Sequence, residues 1–333
     1  MPRLGQYKDI LKTVVFLYEN EKDALAGVNV GGTGFLIAVG SKRFPNQIQH
    51  VHVVTNWHVA VSGAPSCPVV RINTKSGPPK TLDFDPSEWI FIPGGPDIAV
   101  SPPFEFLNDI YDAVPFDGKS WLMTSEEEAK QDFGAADDIF MIGRFIDYDG
   151  EETNIPALRF GHISISDAKI EQSTGYRGRS IVVDMHSRTG FSGSPVIVYR
   201  TLGSLFIDPP PKPGMIFMPG SHSISLLGIL WGQFPEEWEL KDYGAAGALR
   251  NAELVRKGEY VRGLSGMSCV CPSADIIKLL LLPEAEQMRH DFEDRHMDKI
   301  KAASLAARQE NATKNDDSVP PASSGQQQQG KRP

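Results

Sequence analysis

The sequence predicts an all-β protein of mostly antiparallel sheet, and three observations carry that expectation. Short runs rich in Val, Ile and Phe recur through the first 270 residues. Gly, Pro, Asn and Asp separate them, as turns separate strands. The long helices that would alternate with strands in a doubly wound parallel sheet are missing. In chain order the strand-like runs are Val14–Tyr18, Gly34–Val39, Val51–Asn56, Val69–Thr74, Trp89–Ile92 and Ile98–Val100. A second group follows residue 137: Ile139–Phe145, Leu158–Ser166, Ile181–Met185, Pro195–Tyr199 and Ile224–Trp231. Two groups of about six strands make two barrels or two sandwiches.

The segments between and after these groups read differently. Thr124–Asp132 is polar and acidic, a short helical connector. Asp208–Gly214 is a surface loop whose prolines bar a central strand. Pro235–Gly263 is charged and reads as a second surface loop that contains a helix at Ala248–Lys257. Ser273 is a candidate cap for an apolar helix running through Leu282. Glu284–Gln309 reads as a polar, charged helix, and the Ser/Pro/Gln/Gly-rich tail from Asn311 as disordered.

Composition narrows the function classes. The chain has 333 residues, 41% of them hydrophobic, which is enough for a core without a disulfide or metal staple. Its 33 Lys and Arg against 42 Asp and Glu give a net charge of −9, which argues against a binder of nucleic-acid backbone. The apolar run Thr13–Tyr18 is too short for a signal-peptide core and is followed by acids. The later run Ile276–Leu282 falls far short of the roughly 20 residues that span a bilayer. Cys269 and Cys271 stand too close for an unstrained bridge and read as buried small apolar residues. Cys67 reads as a loop thiol without a role, and no zinc-like cysteine spacing occurs. His50 and His52 share a strand face without an acidic or cysteine partner at a telling spacing, and read as exposed strand histidines. The expectation is a soluble, reduced, cytoplasmic protein with no membrane partner, no metal and no cofactor.

The chemistry concentrates in Thr189-Gly-Phe-Ser-Gly-Ser-Pro195, immediately before a strand. A serine between glycines in a tight loop presents its hydroxyl, and the glycines let backbone N–H groups converge on one point. Taken alone, such a loop is equally a turn. Two further residues change the balance. His58 ends the strand-like VVTNWHVA, and Asp97 begins another strand in PDIAV. A serine nucleophile needs an imidazole to take its proton and a carboxylate to orient that imidazole. The chain order is His58, Asp97, Ser192, the order of chymotrypsin and not of subtilisin or the α/β-hydrolases. The elbow of the α/β-hydrolases also needs glycine two residues after the serine, where Ser194 stands.

The set GGTGFLI (31–37), VVTNWHVA (53–60), PDIAV (96–100), GFSGSPVIV (190–198) and LLGILWG (226–232) resembles the trypsin-like serine peptidases. The nearest type is the bacterial one related to the Deg, or high-temperature-requirement, proteases. The resemblance covers roughly residues 10 to 283 and includes the closing segment Gly266–Ser273. It implies a chymotrypsin-like double six-stranded antiparallel β-barrel, with the first barrel at about 10–123 and the second at about 135–283. A peptidase domain over 1–283 would then be followed by a charged helical extension over 284–310 and a disordered tail over 311–333. By motif, Ser192 would be the nucleophile, His58 the general base and Asp97 the orienting carboxylate. The Gly190 and Ser192 N–H groups would form the oxyanion hole, and a polypeptide substrate would pair along Leu230, Trp231 and Gly232. His186, six before the serine, would lie at the base of the primary pocket. Two departures matter. Digestive members carry Asp where Phe191 stands, and the Deg proteases carry a PDZ domain that the polar residues after Pro283 do not supply. Control would then fall to loop ordering, or to an oligomer or activating partner held by the C-terminal helix. The resemblance implies a serine endopeptidase; the alternative is a latent or inactive scaffold that keeps the fold.

Overall fold

The computed structural model describes residues 7–29, 31–145, 150, 152–172, 174–200, 223–239 and 260–298. The chain divides into two units, Met1–Arg289 and His290–Pro333. In the second unit residues 290–298 are helical. The Asp208–Gly214 loop, the Ala248–Lys257 helix and the tail from Asn311 lie outside the described residues.

The first unit carries two antiparallel sheets. The N-terminal one comprises β1 (Val14–Tyr18), β2 (Thr33–Gly40), β3 (Gln49–Thr55), β4 (Val69–Ile72), β5 (Lys80–Asp83) and β6 (Ala99–Val100). Its order is β5-β4-β1-β2-β3-β6, and the short β7 (Phe116–Asp117) adds in parallel to β2. The other comprises β8 (Asp138–Arg144), β9 (Pro156–Glu171), β10 (Arg177–Asp184), β11 (Pro195–Arg200), β12 (Ser223–Glu239) and β13 (Tyr260–Pro272). These six close into a barrel in the order β10-β13-β12-β11-β8-β9. The expected all-β double-barrel architecture is the one found.

Strand periodicity decides where each side chain goes, because successive residues point to opposite faces. On β1, Val15 and Leu17 enter the core of the first sheet, while Phe16 and Tyr18 enter a cluster shared with the second barrel. On β8, Ile139 and Met141 fill the second barrel, while Phe140 and Ile142 reach the shared cluster. Both strands are therefore apolar on both faces, which is why they read as unbroken hydrophobic runs. Helix Ser125–Gln131 connects the sheets as expected, with Thr124 and Glu127 forming a reciprocal cap.

Four expectations need correction. Trp89–Ile92 is not a strand; Ile90 makes one bridge to Val100, and Trp89 packs edge-on against Phe84 at 5.7 Å. Pro235–Glu239 and Tyr260–Gly263, expected in a loop, extend β12 and β13 as a paired ribbon. Helix Ser273–Leu280 is not capped by the Ser273 side chain, whose hydroxyl bonds both the N–H and the C=O of Met123. His50 and His52 are fully buried, because β3 is covered on both faces.

His52 makes stability depend on pH. Its Nδ1 lies 2.8 Å from the Ser101 carbonyl, so Nδ1 carries the proton and donates. Burial, with smaller contributions from Arg289 and His50, lowers its pKa to about 3, against the Ser101 bond that raises it. The unfolded chain regains the ordinary value near 6.5, so between these values it binds more protons than the folded one. Stability is then full above the unfolded value and falls as pH drops toward the folded one, with a slope approaching about 1.4 kcal/mol per pH unit. Denaturant titrations at stepped pH should show that slope in the wild type and a clearly shallower one in His52→Asn.

Candidate active site

Strand pairing brings the imidazole and the carboxylate together. Thr55 at the end of β3 pairs with Ala99 on β6, so His58, just after β3, meets Asp97, just before β6. His58 sits on the single turn Trp57–Ala60, with Asn56 at its cap. The Asp97 carboxylate is fully buried and faces the same residue twice. Its Oδ1 accepts from the His58 backbone N–H at 2.9 Å, and its Oδ2 lies 2.5 Å from His58 Nδ1. A carboxylate only accepts, so Nδ1 carries the proton and the Nε2 lone pair is left to accept another. Asn56 Nδ2 donates to the Asp97 carbonyl at 2.8 Å, which closes the arrangement on the β3 side.

Ser192 lies in the turn before β11, between Gly190 at φ +98° and Gly193 at φ +86°. The turn is stitched to both sheets. Thr33 N–H donates to the Ser192 carbonyl at 2.9 Å, and Thr33 Oγ1 donates to the Gly190 carbonyl at 2.6 Å. The Arg144 N–H donates to the same Thr33 hydroxyl, and the Gly193 N–H to the Leu230 carbonyl. Phe191 anchors the turn from below, buried in the second barrel core where it lies over Gly143. The Phe191 N–H donates to the Arg188 carbonyl at 3.1 Å. With those of Phe191 and Gly193 engaged, the N–H groups of Gly190 and Ser192 have no acceptor among the described residues.

Gly193 has no room for a side chain. A Cβ there would stand 1.9 Å from the Thr33 carbonyl and 2.5 Å from Thr55 Oγ1, at a positive φ. Gly193→Ala should therefore cost roughly 2–5 kcal/mol by strain and overpacking together. Chemical denaturation measures that loss.

A cleft of about 350 Å³ gathers these pieces. His58, Gly190, Ser192, Leu230, Trp231 and Gly232 all line it, while Asp97 lies buried behind His58. His186 is not in the lining; its exposed ring rests against Gly266, and the next residue, Ser187, takes the wall. Ser187 Oγ donates to Gln233 Oε1 at 2.8 Å, so Gln233 enters the wall as well. Sequence reasoning missed both, since no motif marks them. Cys67, expected to have no role, also lines the cleft. Burial pushes its thiol up to about 11, so it stands there as a neutral S–H and not as a thiolate. No group of three or more His, Cys, Asp or Glu able to hold a metal occurs among the described residues, and no helix there is long and apolar enough to cross a membrane.

Several solved proteases are similar to this chain, all at low identity. Among solved structures it is similar to the MamO protease domain from Magnetospirillum magneticum in its apo form, at 15% identity and a TM-score of 0.45, over 82% of this chain and 98% of that one. It is similar to the HtrA-type protease AlgW with a decapeptide, at 13% identity and a TM-score of 0.39, over 74% and 50%. It is also similar to the Rv3671c protease of M. tuberculosis in its active form, at 14% identity and a TM-score of 0.36, over 81% of each chain. No family model and no curated protein matches the sequence.

Proposed function

We propose that this chain is a serine endopeptidase acting through an acyl-enzyme. The observation that carries the reading is the paired contact of Asp97 with the His58 backbone and ring, in a cleft that also holds Ser192. Ser192 Oγ attacks the substrate carbonyl carbon as its proton passes to His58 Nε2, and Asp97 stabilises the imidazolium without taking the proton. The carbonyl oxygen, now an oxyanion, is received by the unengaged N–H groups of Gly190 and Ser192. His58 then protonates the leaving amine, and water releases the acyl group by the reverse sequence of proton transfers.

The substrate class follows from the edge beside the serine. β11 begins at Pro195, opposite Ile229, so Trp231 and Gly232 of β12 run past its end along the cleft. An extended polypeptide pairing with that overhang would be held by main-chain hydrogen bonds. A second reading, a latent scaffold, draws on one observation: among the described residues no hydrogen bond joins the Ser192 hydroxyl to His58. Such bonds are often long in free enzymes and tighten with substrate. Treatment of the full chain with a fluorophosphonate, followed by mass spectrometry, decides between them. Labelling mapped to Ser192 supports the hydrolase; no labelling, alone or with candidate activators, overturns it.

A further inference from the structure

The carboxylate of Asp97 is gripped from the first sheet, but its backbone N–H is held from the second barrel. Gln172 follows β9 in the tight turn that leads to β10, and its Oε1 accepts from the Asp97 N–H at 2.7 Å. The turn is rigid. The Gln172 N–H donates to the Tyr176 carbonyl at 2.8 Å, and the Gly175 N–H, at φ +77°, donates to the Gln172 carbonyl at 2.9 Å. A second bond from this turn, Thr174 Oγ1 to the Gly95 carbonyl at 2.7 Å, holds the loop two residues before Asp97. The thiol of Cys271, on β13, donates to the same Gln172 oxygen at 3.5 Å.

The amide orientation is set by these contacts. Turning it over would place Nε2–H against the Asp97 N–H, donor on donor. In the orientation observed, Gln172 Nε2 is buried without a partner among the described residues. A side chain that only filled space here would be apolar, since a half-satisfied buried amide is a worse filler. The orphaned donor is tolerated where the acceptor oxygen is needed.

We propose that Gln172 is a positioning residue for Asp97, fixing its backbone from the second barrel so that the carboxylate keeps both bonds to His58. This rests on the hydrolase reading, in which that carboxylate orients the general base. Gln172 does not line the cleft, so it acts only through Asp97. The titratable groups meeting Asp97 include His58 and Cys271, and burial with the nearby Asp97 charge keeps the Cys271 thiol protonated.

The test follows the His58 imidazole by NMR across pH in the full chain, its signals assigned by their loss in His58→Ala. Gln172→Met keeps the volume without the acceptor, Gln172→Asn withdraws the oxygen by one methylene, and Gln172→Glu keeps an acceptor. A carboxylate in place favours the imidazolium, so the His58 midpoint should fall by up to about one pH unit in the Met and Asn variants. Fluorophosphonate labelling of Ser192 should slow by about 10- to 100-fold in both. Gln172→Glu, held neutral by burial, should restore both readouts. If Gln172→Met does not fold, Gln172→Asn carries the comparison. A His58 midpoint unchanged in folded Met and Asn variants, with labelling intact in the wild type, overturns the positioning role and leaves the hydrolase standing. A fallen midpoint with no labelling in the wild type supports the positioning role and removes the hydrolase.

Discussion

Ser192→Ala should lower peptide hydrolysis by about 10⁶-fold while leaving the melting temperature where it is, by analogy with subtilisin. The two halves of that expectation have separate causes. The turn around Ser192 is held by backbone atoms: its carbonyl receives the Thr33 N–H, and the Gly193 N–H reaches the Leu230 carbonyl. The hydroxyl supplies none of these bonds, so its removal spares the fold. In the proposed mechanism it supplies the nucleophile, and without it no acyl-enzyme forms. The cleft and the proposed oxyanion donors remain, and they should retain a residual acceleration of about 10³–10⁴ over water. Steady-state hydrolysis of a cleavable peptide, paired with a thermal melt, checks both halves. A fall of only a few-fold would mean that another residue is the nucleophile.

Asp97→Asn should lower turnover by about 10⁴-fold, and the geometry shows why so small a change has so large an effect. His58 presents two donors to this side chain, its backbone N–H and its Nδ1–H. A carboxylate answers both, one oxygen each; an amide has a single oxygen. If that oxygen stays on the backbone N–H, the amide nitrogen faces Nδ1 and forces the proton to Nε2. The imidazole then points a proton, not a lone pair, at Ser192. If the amide turns over, a donor faces the backbone N–H and the anchor is lost. Hydrolysis rates of the purified variant measure the loss. Retention of more than a tenth of wild-type turnover would show that Asp97 does not set the tautomer.

What the sequence made legible follows from how far each feature is local. β1 and the Ile139–Ile142 part of β8 were plain because both of their faces are buried, so the residues there are apolar. β5 (Lys80–Asp83) was invisible for the opposite reason: it lies at the end of the sheet, no residue of it is buried, and its Lys and Asp read as turn. Trp89–Ile92 is as apolar as a strand, yet its rings cap the core instead of joining the ladder. The outer part of the β12–β13 ribbon has charged residues that resemble a loop. At the site, His58, Asp97 and Ser192 stood out because each lies in a short local motif. The wall of the cleft did not, since in an irregular loop one step of register decides whether His186 or Ser187 faces inward. Gln172 carries no local signal at all; its bond to Asp97 joins residues 75 positions apart.

The division of the site between two sheets has a consequence for the chain as it is being made. His58 and Asp97 belong to the half that leaves the ribosome first, and Ser192 to the half that follows. The second barrel cannot close until β13, ending at Pro272, has taken its place between β10 and β12. Domains generally fold as units in the order they are synthesised. On the proposed mechanism, a nascent chain carries a base and its carboxylate with nothing to activate until almost the whole first unit, Met1–Arg289, has emerged.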